Sequence, residues 1–208
     1  MRKTAASSRP RRRTQSERSA LTREKVMRAV VDCIVEKGLP NTTAARIAQR
    51  SGVTWGAIVH QFGDKDSLLL AVMEWSFETL SQNLQASLAE GPIPARERVS
   101  LLVDATWKCF NGPSFHAFLE IVLHGRTVAD GKLKSRREAM IVSLTKRIWS
   151  DLFGDFDLDP RSVDTARQLT FATLLGMAIQ AMIGPRKPRF THELETLKTS
   201  VLRMLELA

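Results

Sequence analysis

From Thr22 onward apolar residues fall at helical spacing, with Met27, Val30, Val31 and Ile34 following i, i+3, i+4, i+7. That pattern predicts a one-faced helix, which Gly38 and Pro40 bring to an end. Asn41-Thr42-Thr43 then supplies N-cap chemistry for a short helix over residues 44–50, in which Ile47 and Ala48 form the apolar pair. Ser51-Gly52-Val53 interrupts the pattern, and Gly52 is free to take the positive φ of a sharp turn. Thr54 caps a third helix reaching about Gln61, with Ile58 and Phe62 facing inward. After Gly63, Asp64 caps a fourth helix striped by Leu69, Val72, Met73 and Leu80. Two short helices joined by a glycine-containing turn and propped by longer ones make a helix-turn-helix.

Beyond Gly91-Pro92 and Pro94 the helical period returns, over about 96–110, 114–128, 133–153, 160–183 and 191–207. Asn111-Gly112-Pro113, Asp130-Gly131, Asp159-Pro160 and Gly184-Pro185 punctuate these segments. No strand-like alternation occurs, so the expected fold is all-α, with an N-terminal three-helix helix-turn-helix domain over 20–75 and a helical body over 76–208. The segment from Leu169 to Ile183 is apolar on nearly every side, and Ala172, Gly176 and Ala181 allow close backbone approach. We expect it to pair with Leu194, Leu197, Val201, Leu202 and Leu205 of the last helix, and with the same two helices of a second copy, in a homodimer bundle.

Charge changes this picture at one end of the chain. The formal net charge is +9, and residues 1–23 hold Arg2, Lys3, Arg9, Arg11, Arg12, Arg13, Arg18 and Arg23 against Glu17 alone, a net of +7 that leaves +2 for the rest. Residues 1–19 carry no hydrophobic period and read as a basic arm suited to a polyanion. Residues 24–75 are by contrast neutral, with six basic and six acidic side chains. Cys33 and Cys109 each sit in an apolar helical pattern and read as reduced core residues of a cytoplasmic protein. The basic arm lacks the apolar core of a secretory signal, and no apolar stretch reaches the ~20 residues of a membrane span.

The segment from Arg23 to Glu74 resembles the DNA-binding domain of the tetracycline-repressor (TetR) family. The resemblance rests on Gly38, Thr43, Ile47-Ala48, Gly52-Val53, Gly56, Phe62, Lys65 and Leu68-Leu69 at family spacing. It implies that the helix from Thr54 to Phe62 enters the major groove of operator DNA, with Thr54 capping it. Trp55, Gly56, Ala57 and His60 would then lie nearest the bases, and Gln61 and Lys65 near phosphate. Thr43 would present its hydroxyl and the free amides of a helix start to the DNA backbone, with Arg46 beside it. This chain departs from the family in having Val59 where a tyrosine is usual and Gln61 where a histidine is usual, and both usual residues touch phosphate. The arm, through Arg9, Arg11, Arg12 and Arg13, is the candidate that makes up the shortfall.

In the body, Trp107, Phe110, Phe115, Phe118, Leu119, Trp149, Phe171 and Met177 are candidates to line an apolar effector pocket, with His116 or His124 as polar handles. Enzyme chemistry finds no support. The four histidines show no metal-ligand spacing, and there is no phosphate-cradling glycine loop or nucleophile elbow. Asp155-Phe156-Asp157-Leu158-Asp159 imitates the start of a calcium loop, but Pro160 and Ala166 stand where glycine and glutamate are required. No cofactor is expected. The expectation is therefore a repressor that a small-molecule effector releases from its operator, and the alternative is a helical regulator working through protein partners without operator binding.

Overall fold

Thr14 starts the first helix, earlier than the hydrophobic period suggests. Its hydroxyl accepts from the Glu17 amide (3.2 Å) while the Glu17 carboxylate accepts from the Thr14 amide (2.7 Å), a reciprocal capping box. In the computed structural model of the protein, which describes residues 14–89, 91–128, 131–184 and 189–207, α1 accordingly runs Gln15–Lys37. The sequence expectation placed residues 14–19 in the arm. The Thr-x-x-Glu signature at 14–17 is the signal that marks the true helix start. Arg9, Arg11, Arg12 and Arg13 lie outside the described residues.

After α1, a single 3-10 turn over Leu39–Asn41 leads to α2 (Ala44–Ser51), α3 (Trp55–Phe62) and α4 (Lys65–Ala89). The short helices are defined at both ends by local chemistry. Thr43 Oγ1 accepts from the Arg46 amide, Thr54 Oγ1 accepts from the Ala57 amide, and Gly52 ends α2 in the left-handed region at φ 61°. Asp64 accepts from the Ser67 amide at 2.7 Å and so caps α4. The body follows with α5 (Ala95–Phe110), α6 (Pro113–Val128), α7 (Gly131–Phe153), α8 (Pro160–Ile183) and α9 (Thr191–Met204). Asp159 caps α8 by accepting from the Ser162 amide, with Pro160 preset for the first helical position. Among the described residues there is no strand, and the all-α expectation holds.

Two features position the functional regions. First, α4 is one continuous helix through residue 75, so the head passes into the body without a linker. Second, α6 of the body packs directly on α1 of the head, and one apolar core runs from Val26 in α1 to Leu205 beyond α9. Head and body are thus joined by packing, through α6 seated on α1 and α4 running from one into the other. Arg50 of α2 grips Glu36 (2.6 Å) and Asp32 (3.3 Å) of α1, which further fixes α2 on the head's long helix.

Candidate nucleic-acid interface and body cavity

The head brings together most of the residues read from the sequence. Ile58 is fully buried and anchors α3, whereas Thr54, Gly56, Ala57 and His60 are exposed on its outer side. Thr43 and Arg46 at the start of α2 are exposed as well, and the Arg46 guanidinium donates to the Asn41 carbonyl at 2.9 Å. Gly56 has no atom within 4 Å of where a Cβ would stand, so the chain itself does not require glycine there. That space is open on the exposed face of α3.

Three of the named residues are placed less simply. Trp55 is half-buried and packs against the core, so its ring is shared between the chain and the exposed face. Gln61 Nε2 donates to the Ser19 carbonyl at 3.2 Å, tying α3 to the first turns of α1. Lys65 is half-buried at the start of α4. Sequence reading missed a second tie between these helices, the Arg23 guanidinium lying 4.7 Å over the Phe62 ring. Both ties place the N-terminal end of α1, from which the basic arm departs, beside α3. Two of the head's cations are already engaged, Arg28 with Glu24 and Arg50 with Glu36.

The body candidates divide into packed core and cavity wall. Phe110, Phe115 and Phe118 stack in series, with ring centroids 3.9 Å and 5.2 Å apart, and Phe77 meets Phe118 edge-on. Leu119 and Met177 are buried in the same core, and Trp107 meets Phe190 edge-on. His124 is exposed, and His116 stands 3.5 Å from Glu120 at the surface of α6, so neither histidine lines the cavity as the polar handle expected of it.

Phe110, Trp149 and Phe171 do line a cavity of about 30 Å³, together with Phe77, Leu80 and Leu102. The cavity's polar groups are threonines, Thr106, Thr145 and Thr170, and the buried Arg167. Arg167 donates to Thr145 Oγ1 at 3.0 Å and to the Asp164 carboxylate. Among the described residues Thr170 Oγ1 is buried with no hydrogen-bond partner. The Arg167 hydrogen bond, helped by Gln168 and by nearby Lys146, holds the Asp164 carboxyl below its ordinary range. On the outer side of Trp149 and Arg167 lies an open pocket of about 450 Å³, bounded by Lys146, Phe153, Phe156 and Val163. Periodicity could not single out Arg167, because an arginine in a helical pattern reads as a solvated side chain.

On the far side of α8 the residues named for dimerisation separate. Ala172 and Gly176 are exposed, Ala181 is half-buried, and Leu194, Leu197, Val201, Leu202 and Leu205 are buried in the chain's own core. Leu169 (49% exposed), Ile179 (39%) and Ile183 (78%) continue the line of Ala172 and Gly176 at alternating spacings of three and four. Among the described residues this is an exposed apolar seam.

The head is a helix-turn-helix DNA-binding domain of the kind found in bacterial regulators, with an all-helical body. Residues 26–72 match the family of bacterial regulatory proteins, tetR family, so the head is similar to the DNA-binding domain of those transcriptional regulators. It is 26% identical over 201 residues to the HTH-type transcriptional regulator CymR of Pseudomonas putida, covering 94% of each chain. It is also 32% identical over 125 residues to the HTH-type regulator BetI of Burkholderia ambifaria, a match covering 51% of this chain and 62% of BetI. The fold is shared with the fatty acid degradation regulator FadR of Bacillus halodurans (TM-score 0.67, 19% identity, 87% and 94% of the two chains). It is shared too with FadR of Bacillus subtilis in complex with stearoyl-CoA (TM-score 0.63, 18% identity, 89% and 98%). Among the described residues no helix is long and apolar enough to cross a membrane.

Proposed function

We propose that this regulator is a cytoplasmic, non-enzymatic repressor that binds operator DNA as a homodimer and is released by a small molecule held in its body. The observation that carries the reading is the outer face of α3. Thr54, Gly56, Ala57 and His60 are exposed on a helix whose inner side is locked by Ile58, next to the capped start of α2. This arrangement suits a helix whose N-terminal residues meet base edges while neighbouring amides hold phosphate.

Dimerisation supplies the second head. The seam from Leu169 through Gly176 to Ile183 is the support for it, since large apolar residues on one face with small ones between them fit a second copy of the same helix. Two heads about 34–36 Å apart would meet successive major grooves, and an effector that favours another spacing would weaken binding. Support for an effector in the body comes from the cavity walled by Trp149 and Arg167 and from the stearoyl-CoA bound to a fold neighbour. A gel shift with the DNA upstream of this chain's own gene tests the reading. A retarded complex of two chains per site is expected, and no shift at micromolar protein would leave the regulator acting through protein partners instead.

A further inference from the structure

The exposed arc of α3 consists of Gly56, Ala57, Val59 and His60. At about 100° per residue, Gly56 and His60 form its ridge, and Ala57 and Val59 flank that ridge roughly 80° to either side. Ile58, 1% exposed, points the opposite way. The arc carries no arginine, lysine, asparagine, glutamine, aspartate or glutamate. Those are the side chains that read guanine, adenine and cytosine through hydrogen bonds in the major groove. Gln61 stands off the arc, half-buried, with its Nε2 donating to the Ser19 carbonyl at 3.2 Å. The Thr54 hydroxyl, ahead of the arc, accepts from the Ala57 amide at 3.3 Å.

A face made of one imidazole and two aliphatic side chains still distinguishes one base. Thymine alone among the four puts a methyl group into the major groove, and apolar side chains recognise it by contact. His60 can add a hydrogen bond to a purine N7, but adenine and guanine share that atom, so it does not separate them. Val59 is 39% exposed and Ala57 is exposed beside it, and both leave apolar surface in water that a thymine methyl would cover. Gly56 between them adds no side chain, which lets the ridge come close to the groove floor. Phosphate is left to groups off the arc, Arg46 at the start of α2 and the arginines at and before the N-terminal end of α1. We infer that this regulator reads its operator chiefly through thymine C5-methyl groups, packed against Ala57 and Val59 in each half-site. This rests on the reading of α3 as the groove helix, and it names the base that the helix selects.

The test uses the full-length protein and the shortest duplex that selection from a random pool yields with it. Thymines are replaced one at a time by deoxyuridine, which deletes the methyl and keeps every hydrogen-bonding group. Loss of one buried methyl weakens binding about fourfold, and the same change in both half-sites weakens it more than about tenfold. Val59→Ala, an exposed change that a helix tolerates well, removes the penalty at one thymine and leaves it at the other. Ala57→Gly does the reverse. Where cytosine replaces a sensitive thymine, 5-methylcytosine at that position binds tighter than cytosine. Affinity unchanged by uracil at every position, or a penalty that both variants retain, overturns the inference and leaves the operator reading intact. Failure to select any duplex overturns the two together.

Discussion

The Glu120 carboxylate of α6 accepts a hydrogen bond from the Leu39 amide at 2.7 Å, across 81 residues of chain, so a body helix caps the turn that leads into the helix-turn-helix. Leu39 is buried, and among the described contacts this bond joins the body directly to the entrance of α2. Glu120→Ala leaves that amide without its acceptor and costs about 1–3 kcal/mol of stability, whereas Glu120→Gln keeps an acceptor oxygen and costs less. Urea denaturation compares the two variants. We further expect Glu120→Ala to loosen operator binding more than its stability loss explains, and equal affinity in the folded variants would dismiss Glu120 as a coupling residue.

Gly56→Ala separates folding from recognition. The added methyl meets nothing in the chain, and alanine is the better helix former, so stability should stay level or rise by up to about 1 kcal/mol. On the exposed face the methyl stands where DNA would approach, so operator affinity should drop at least about tenfold, equivalent to roughly 1.4 kcal/mol. Thermal melts and gel shifts measure both quantities, and unchanged DNA affinity would place α3 differently from our proposal.

The basic arm should act through charge. Removing residues 2–13 keeps the Thr14–Glu17 capping box and hence α1, and takes away Arg9, Arg11, Arg12 and Arg13. Each phosphate released flattens the slope of log K against log salt by about 0.9, so several engaged arginines give a change of several units. Filter binding between low and moderate salt checks this. An unaltered slope would show that the arm's charges are only solvated.

Ile179→Glu puts a charge into the exposed seam of α8 without touching the chain's own core. Sedimentation equilibrium should show a folded monomer with normal helicity, and its operator affinity should collapse because one head alone contacts half the site. A variant that stays dimeric would move the interface elsewhere.

Acid sensitivity should reach the body through Asp155. Its carboxylate accepts two hydrogen bonds from the Arg98 guanidinium, chiefly through which its pKa falls below the ordinary 3.8. A depressed carboxyl contributes stability that is complete above its unfolded value and lost as pH falls through the lower folded one. The melting temperature should therefore decline on acidification below about pH 4, and Asp155→Asn should lower the neutral-pH melting temperature while shrinking that decline. An identical acid profile in the variant would assign the decline to other carboxylates.

Sequence determined the helices and the reading head, because those depend on neighbours in the chain. Caps at Thr43, Thr54 and Asp159 and the stop at Gly52 act within one turn, and the bounds of α8, Pro160–Ile183, match the residues that the hydrophobic period marks. The Thr14–Glu17 box was equally local and was hidden only by the absence of apolar period around it. Tertiary structure decided what each face of a helix meets. Periodicity shows that Leu194, Leu197 and Val201 are buried, yet whether by their own chain or a second copy depends on how α5, α8 and α9 cross. The same holds for the aromatic residues, since only packing divides Phe115 and Phe118 in the stack from Phe171 on the cavity wall. Arg167 is the clearest case. Its pairing with Thr145 on α7, 22 residues away, turns a surface-type residue into a buried charge, and no local pattern encodes a contact made by the packing of two helices.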